Sequence, residues 1–191
     1  MKVICGPASK ELAEAVSALT GFGKVPVAFK VFPDGESYVR LEGSVQSENV
    51  AIVQTTCPPV QDGRLFQLAF MADAAKRAGA SKVTAVVPYL AYARQDKMFL
   101  AGEGISVETV ARMLKAAGID ELLTVNIHSE PALKQFPFPA KTLSAIPLLA
   151  EHFVQKGYGG AFALSPDKGA MYIAAGAEGF RRRSWTPGQA P

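Results

Sequence analysis

The sequence is poor in cysteine, and its two cysteines, Cys5 and Cys57, stand far apart. Each lies in an apolar or proline-rich segment, so we interpret both as buried thiols and predict neither a disulfide framework nor a cysteine-ligated metal. Long apolar runs are also missing, since none reaches the length of a membrane-spanning helix. The N-terminus starts as a strand and lacks the profile of a signal peptide. We therefore expect a cytoplasmic protein without a membrane partner.

The sequence also carries little excess charge, with a formal net charge of +3. Three of its cations stand together at residues 181–183, and the rest of the chain is close to neutral. A dedicated nucleic-acid surface needs a concentrated basic patch, so no nucleic-acid partner is expected. The 49% apolar content is that of a globular protein with a core.

Short apolar segments alternate with amphipathic ones along the chain. This alternation predicts βαβ units, and hence an α/β fold with a parallel, doubly wound sheet covered by helices on both faces. Segments 25–32 and 37–41 are joined by a PDGE turn and predict a β-hairpin near the N-terminus. The other predicted strands are 1–5, 49–54, 82–87, 121–126 and 161–164. Predicted helices begin near Ser9, Asp62, Ser106, Ser129 and Ser144, and a last one opens at 167–169.

The helices carry two kinds of local signal. Ser9, Ser106 and Ser144 are expected to act as N-caps. In the first helix, apolar residues recur at helical spacing and are expected to face the core. They are Leu12, Ala15, Val16 and Leu19, and the helix from Ser106 has such a face at Val107, Val110, Ala111 and Leu114.

We predict one domain over residues 1–175. From Gly176 onward the sequence GAEGFRRRSWTPGQAP has no apolar period, two prolines and a run of arginines. Such a segment is typical of a disordered or non-native tail.

The stretch from Lys82 to Ser106 carries the strongest functional signal. Its first half is a buried strand that ends at Pro88, and its second half is a polar loop. Open α/β sheets build ligand sites at the carboxyl ends of their strands. The loop holds two cations, an amide and a carboxylate, which suit a polyanion with a polar ring, such as a nucleotide. An ordinary solvated loop is the alternative on spacing alone. The four residues are Arg94, Gln95, Asp96 and Lys97.

Other segments are ambiguous when taken alone. His128 follows a predicted strand, but a single histidine is more often structural than a ligand, and His152 lies within a helix and is interpreted as structural. Segment 165–170, SPDKGA, offers free N–H groups to an anion, or serves simply as an N-capping turn. The PDGE turn is explained by its turn-forming residues.

Together these segments resemble those of ribose-phosphate diphosphokinases. The matching motifs are PYLAYARQD at 88–96, FPDGE at 32–36, TVNIH at 124–128 and SPDKGA at 165–170. The resemblance implies a phosphoribosyltransferase-like fold. It also implies transfer of diphosphate from ATP to the 1-hydroxyl of ribose 5-phosphate, which gives phosphoribosyl pyrophosphate and AMP.

The resemblance further implies roles for particular residues. In the family, the Phe of the FxDGE turn stacks on adenine and its acidic residues accept from the amine across a subunit interface, so a homo-oligomer is expected. The ATP-binding residues implied are Phe32, Asp34, Glu36, Arg94, Gln95, Asp96 and Lys97. His128 matches a magnesium-associated histidine, which makes Mg²⁺ the implied cofactor, and Asp167 matches a ribose 5-phosphate contact. Asn126 stands where an acidic residue is common, and a neutral amide is the poorer ligand for Mg²⁺.

The chain departs from the family pattern beyond these motifs. It contains no DDxxxTGGT string, the loop by which the family's second domain grips ribose phosphate, and no match to a catalytic Lys and Arg. We therefore expect the N-terminal domain of a diphosphokinase, with weak or no turnover. A non-catalytic nucleotide-binding or oligomerisation module is the alternative, and an unrelated flavodoxin-like domain would leave the four motifs unexplained.

Overall fold

The computed structural model describes residues 1–159, 161, 163–165, 171–178 and 184–185. The chain divides into two compact units, Met1–Leu143 and Ser144–Pro191. No boundary was expected at this point from the sequence. Each unit is described by itself below.

The first unit is built on a parallel sheet. Its strands are β1 (Lys2–Cys5), β2 (Gly23–Val25), β3 (Val27–Val31), β4 (Ser37–Leu41), β5 (Asn49–Val53), β6 (Lys82–Val87), β7 (Glu121–Val125) and β8 (Ala140–Leu143). Six of them pair in parallel in the order β2-β1-β5-β6-β7-β8, and β3 and β4 form a separate antiparallel hairpin. The predicted α/β fold with a parallel sheet and an N-terminal hairpin is confirmed.

Helices cover both faces of this sheet. They are α1 (Lys10–Thr20), α2 (Gln61–Arg77), α3 (Ser106–Ala116) and a 3₁₀ helix (Glu130–Gln135). The larger core lies between the sheet and helices α2 and α3, whereas α1 packs on a smaller cluster on the other face. Strand β5 has apolar side chains buried in both cores, which is why it reads as a continuous apolar run.

Two strands differ from the sequence prediction. The predicted strand 25–32 is divided at Pro26: β2 joins the main sheet beside β1, while β3 pairs with β4. Proline has no N–H to donate, so the ladder cannot continue through it. Strand β8 follows the Phe136–Pro139 segment and was not predicted.

Of the four residues expected to form the buried face of α1, only Val16 packs against the core, and the expectation was wrong for the other three. The helix buries Ala13 and Ser17, while Leu12 is 43% exposed and Leu19 is 88% exposed. Small side chains let the helix approach β1 closely, and the Ser17 hydroxyl donates to the carbonyl of Phe22 at 2.6 Å. The apolar periodicity of the sequence predicted a stripe that faces mostly outward in the structure. In α3, by contrast, the face expected from periodicity is buried.

The second unit contains two helices and a short strand pair. Helix α4 (Ile146–Phe153) continues as a π-helical turn (Val154–Tyr158), and α5 spans Met171–Glu178. Strand β9 (Ala163–Leu164) pairs in parallel with β10 (Ser184–Trp185). The predicted tail therefore begins inside α5 and includes β10, and its other residues lie outside the described residues. Among the described residues, no helix is both long enough and apolar enough to cross a membrane.

One carboxylate ties the amino-terminal edge of the sheet together. Asp120 Oδ2 accepts hydrogen bonds from Lys76 Nζ at 2.6 Å and from the Val83 N–H at 2.8 Å, and so joins α2, β6 and β7. Partial burial alone would raise the pKa of Asp120, but the hydrogen bonds from Lys76 and Val83 outweigh it and lower that pKa. The ionised form is therefore the one that the fold stabilises.

We expect Asp120→Asn to lower the free energy of unfolding by about 1 kcal/mol at neutral pH, measured by urea denaturation. Because the pKa is lowered in the folded state, this contribution is present above the pKa of the unfolded chain, about 4, and is lost as the pH falls through the folded value. The gap between the two proteins should then close in acid. Glu108→Gln, which removes an exposed ion pair with Arg112, is the control and should cost only about 0.3 kcal/mol. A gap that is unchanged in acid would contradict this assignment.

Candidate functional site

The parallel pairing brings the ends of β1, β5, β6 and β7 to one edge of the sheet. We call the loops that follow these strands, residues 6–9, 54–60, 88–105 and 126–129, the carboxyl edge. Most of the polar residues selected from the sequence lie in these loops.

Thr56 fixes the start of the loop that follows β6. Its buried hydroxyl donates to the Tyr89 carbonyl and accepts from the Ala91 N–H, both at 2.8 Å, and its own N–H also donates to Tyr89. These contacts join the loops after β5 and β6. The backbone leading toward Arg94 is therefore held in place by neighbouring residues.

Tyr92 turns this loop outward through a rare conformation. Its φ is +66°, in the left-handed region that a bulky side chain adopts only with strain of about 1–2 kcal/mol. Its hydroxyl donates to Asp62 in the first turn of α2, which raises the pKa of Tyr92. The Tyr92 carbonyl also accepts from the Gln95 N–H at 3.2 Å. Such strain is typical of sites whose geometry is functionally constrained.

Gln95 and Asp96 fasten the far side of the same loop. Gln95 Oε1 accepts from the Ser106 hydroxyl, and Asp96 Oδ2 accepts from the Ser129 hydroxyl, both at 2.5 Å. Both side chains are half-buried. The predicted cap at Ser106 was wrong, because Ser106 is the first residue of α3 and the start of that helix has no side-chain cap hydrogen bond. Ser129 makes no cap hydrogen bond at the start of the 3₁₀ helix either. The hydroxyls of Ser106 and Ser129 tie the candidate nucleotide loop, residues 94–97, to α3 and to the segment that follows β7.

The two cations of the loop lie at the surface. Arg94 and Lys97 are exposed, and Lys97 Nζ lies 5.3 Å from the centroid of the Phe99 ring. Within the part of the chain that the structure describes, Arg94 has no ion pair or hydrogen bond. Fixed neighbours and outward cations together make this loop suited to an anionic ligand.

His128 lies at the same edge, one residue before the serine that binds Asp96. Its side chain is exposed. Asn126 precedes it with φ of +44°, a left-handed conformation that asparagine tolerates better than most residues. The structure therefore gives a local backbone reason for asparagine at this position.

The PDGE turn closes the β3–β4 hairpin, away from the main sheet. The Phe32 N–H donates to the Glu36 carbonyl at 2.8 Å, and the Glu36 N–H donates to Asp34 Oδ1 at 3.0 Å. Gly35, with φ of +92°, supplies the left-handed residue of the turn. Lys30 Nζ lies 4.2 Å from the Phe32 ring centroid and covers one face of that ring. All three side chains assigned to adenine are exposed.

The described residues do not enclose a metal ion by themselves, since no three His, Cys, Asp or Glu side chains among them come together. They fit a magnesium ion that takes most of its ligands from a nucleotide, because such ions need only one or two protein ligands. Asp167 and its neighbours at 166–170 lie outside the described residues.

Comparison with known proteins identifies the family. Residues 1–118, more than half of the chain, match the model of the N-terminal domain of ribose phosphate pyrophosphokinase. The chain belongs to the ribose-phosphate pyrophosphokinase family. The resemblance inferred from its motifs is thereby confirmed.

Individual relatives agree with this assignment. The chain is 42% identical over 164 residues to a ribose-phosphate pyrophosphokinase of Methanothermobacter thermautotrophicus, and 36% identical over 178 residues to one of Rhodopirellula baltica. These alignments cover 86% and 92% of this chain. The crystal structure of phosphoribosylpyrophosphate synthetase from Mycobacterium smegmatis superposes with a TM-score of 0.81 at 31% identity, covering 94% of this chain and 59% of that one. The chain spans 56% of each curated pyrophosphokinase named above, about half of its length.

The contacts that fix the site were the ones that sequence reasoning missed. Thr56 was not selected as a site residue, and the structure shows that its hydroxyl joins the loops after β5 and β6. Ser106 was interpreted as a cap and Ser129 only as a helix start, and Tyr92 was not selected at all. Tyr92 stands two residues before Arg94 within a motif of the ribose-phosphate pyrophosphokinases, which is the signal that could have drawn attention to it.

We expect Thr56→Val to lower the free energy of unfolding by about 2 kcal/mol in urea denaturation. Valine keeps the shape of the side chain but leaves the buried Ala91 N–H without an acceptor, and an unsatisfied buried donor costs about 1–3 kcal/mol. Thr56→Ser should restore most of the loss. The matched control is Thr55→Val, since the Thr55 hydroxyl makes no hydrogen bond among the described residues, and a loss of equal size there would refute this role for Thr56.

Proposed function

We propose that this chain provides the ATP-binding half of a ribose-phosphate diphosphokinase. The reaction transfers the diphosphoryl group of ATP to the 1-hydroxyl of ribose 5-phosphate and gives phosphoribosyl pyrophosphate and AMP. One observation carries the proposal: the loop with Arg94 and Lys97 is fastened on both sides, and it exposes both cations at the carboxyl edge. Family membership supports the same conclusion.

The triphosphate would lie against this loop. Phosphoryl transfer needs the reacting groups held in line and the phosphate charge neutralised, with little covalent work for the protein. In the proposal, Arg94 and Lys97 neutralise phosphate oxygens. The polar groups of Gln95 and Asp96 that are not bound to serines orient the nucleotide.

The adenine would lie on the hairpin turn. Lys30 lies over the Phe32 ring and Tyr38 contacts it in a T-shaped arrangement, yet Phe32 is 37% exposed, and a base would stack on its exposed part. Asp34 and Glu36 would accept from the exocyclic amine. We further propose that the protein is a homo-oligomer, in which this exposed turn completes a site.

Magnesium is the proposed cofactor, with His128 as its protein neighbour. When bound, the ion would neutralise charge on the phosphate oxygens of ATP. Because Asn126 is neutral, the ion would depend more on ATP oxygens than it does where that position is acidic. Asp167 is proposed as the contact to ribose 5-phosphate, on the resemblance of SPDKGA to the family's turn.

A second candidate is a nucleotide-binding module without catalysis. It is favoured by one observation, that these 191 residues contain no DDxxxTGGT string to grip ribose phosphate. Both candidates predict ATP binding and differ only in turnover.

ATP binding depends on Arg94 in either case. We expect Arg94→Ala to weaken binding of Mg-ATP at least about tenfold, because a charge-assisted contact contributes about 1.5–3 kcal/mol. Isothermal titration calorimetry measures this, and the difference should shrink as salt is added. Arg112→Ala removes another exposed arginine, on α3, and should leave affinity unchanged. Equal weakening by both substitutions would indicate a non-specific charge effect.

Turnover separates the two candidates. In an assay of AMP release from Mg-ATP and ribose 5-phosphate, we expect slow or undetectable turnover by this chain, since the groups that grip the sugar phosphate are not matched in it. Omission of ribose 5-phosphate is the control for simple ATP hydrolysis. Rapid, ribose-5-phosphate-dependent AMP release would show that other residues of the chain replace them.

A further inference from the structure

Two buried amides and a hydroxyl form a hydrogen-bonded chain inside the first unit, which we call the amide relay: Gln54, Gln67 and Ser37. Gln54 Nε2 donates to Gln67 Oε1 at 3.1 Å, and Gln67 Nε2 donates to Ser37 Oγ at 3.2 Å. Gln54 is fully buried and Gln67 is 8% exposed. The relay runs from the end of β5, through α2, to the first residue of β4.

Each end of the relay meets a part of the candidate site. Ser37 directly follows Glu36 of the hairpin turn. At the other end, Gln54 Oε1 accepts from the Ala8 N–H at 3.0 Å in the loop after β1. A Cβ atom at Gly6 would overlap this same oxygen, so the loop lies closely against it. The relay therefore connects the turn with the carboxyl edge through the protein interior.

Stability alone gives no reason for amides here. A buried, satisfied hydrogen bond adds only about 1 kcal/mol net, and a matched pair of apolar side chains can serve nearly as well. A series of buried hydrogen bonds adds a fixed relative orientation of the groups it joins, because its donors and acceptors can pair in one arrangement only. Such a constraint matters for the hairpin, since a two-stranded ribbon outside the main sheet is marginally stable by itself.

We propose that Gln67, held by Gln54, is a positioning residue that fixes the PDGE turn relative to the carboxyl edge through Ser37. The inference rests on the proposed function, in which the turn receives the adenine of an ATP whose triphosphate lies on the carboxyl edge of a neighbouring copy, so the relay sets where each copy presents its turn. Cutting the relay should then weaken binding of the whole nucleotide while leaving its phosphate portion unaffected.

The last link is tested with Ser37→Ala and its conservative partner Ser37→Thr. We expect the alanine variant to bind Mg-ATP about tenfold more weakly in calorimetry, and to bind magnesium tripolyphosphate as the unchanged protein does. Threonine keeps the hydroxyl and should restore ATP affinity. Equal loss for both ligands would mean general damage to the fold and would overturn the proposal.

The two amides are tested as a pair. Gln54→Met and Gln67→Met each leave the other amide unsatisfied and should destabilise the protein in urea. The double variant removes both amides and should recover the stability lost at the Gln54–Gln67 bond, but not the part lost at the Ala8 N–H, which stays without its acceptor. Its affinity for ATP should stay low, because Ser37 still has no partner. Affinity that recovers together with stability would indicate a merely structural role. Gln155→Met, on the surface of the second unit, is the control for the substitution itself.

Amide hydrogen exchange tests the positioning role of the relay in the absence of any nucleotide. The N–H groups of Phe32 and Gly35 are hydrogen-bonded within the turn, and we expect them to exchange about tenfold faster in Ser37→Ala. Unchanged exchange would overturn the positioning role whatever the protein binds. Failure of the unsubstituted chain to bind Mg-ATP, with exchange altered as expected, would instead overturn the proposed function and leave the relay's mechanical role established.

Discussion

The parallel pairing of β5, β6 and β7 is the constraint on which the candidate site depends. It places the loops after these strands side by side, although they are separated by some thirty to forty residues in the sequence. The buried apolar side chains of β5 hold this pairing from both faces. Asp120 fixes the opposite edge of the sheet through Lys76 and Val83. Neither the core side chains of β5 nor the Asp120 hydrogen bonds belong to the site, yet both hold in place the strands from whose ends the site loops start.

Hydrophobic patterning was sufficient to predict the framework. Buried runs located the strands, and periodicity identified the inward face of α3. The same argument was wrong for α1, where Ala13 and Ser17 face the sheet and the larger Leu19 faces outward. A periodic pattern shows that apolar residues form a stripe along one side of a helix. It does not show whether the stripe meets the core when small residues lie on the other side.

Hydroxyl partners could not be predicted for a different reason. A serine at a helix start can accept from an N–H nearby in sequence, or bind a group that only the folded chain brings close. Ser9, Ser106 and Ser129 all bind groups that are distant in the sequence. Their partners are Thr55, Gln95 and Asp96, respectively. The motifs located the candidate nucleotide loop, but its attachments follow from tertiary structure. Asp167, the remaining motif residue, lies outside the described residues.

These attachments also explain how one loop can combine rigidity with exposure. Gln95 and Asp96 use one oxygen each inward, and Thr56 and Tyr92 hold the backbone before them, so the ordering of this segment is complete before any ligand arrives. A ligand that meets Arg94 would therefore order one side chain and not a whole loop. Since ordering a residue's backbone costs about 1–2 kcal/mol, the strain at Tyr92 is small beside the cost it avoids upon binding.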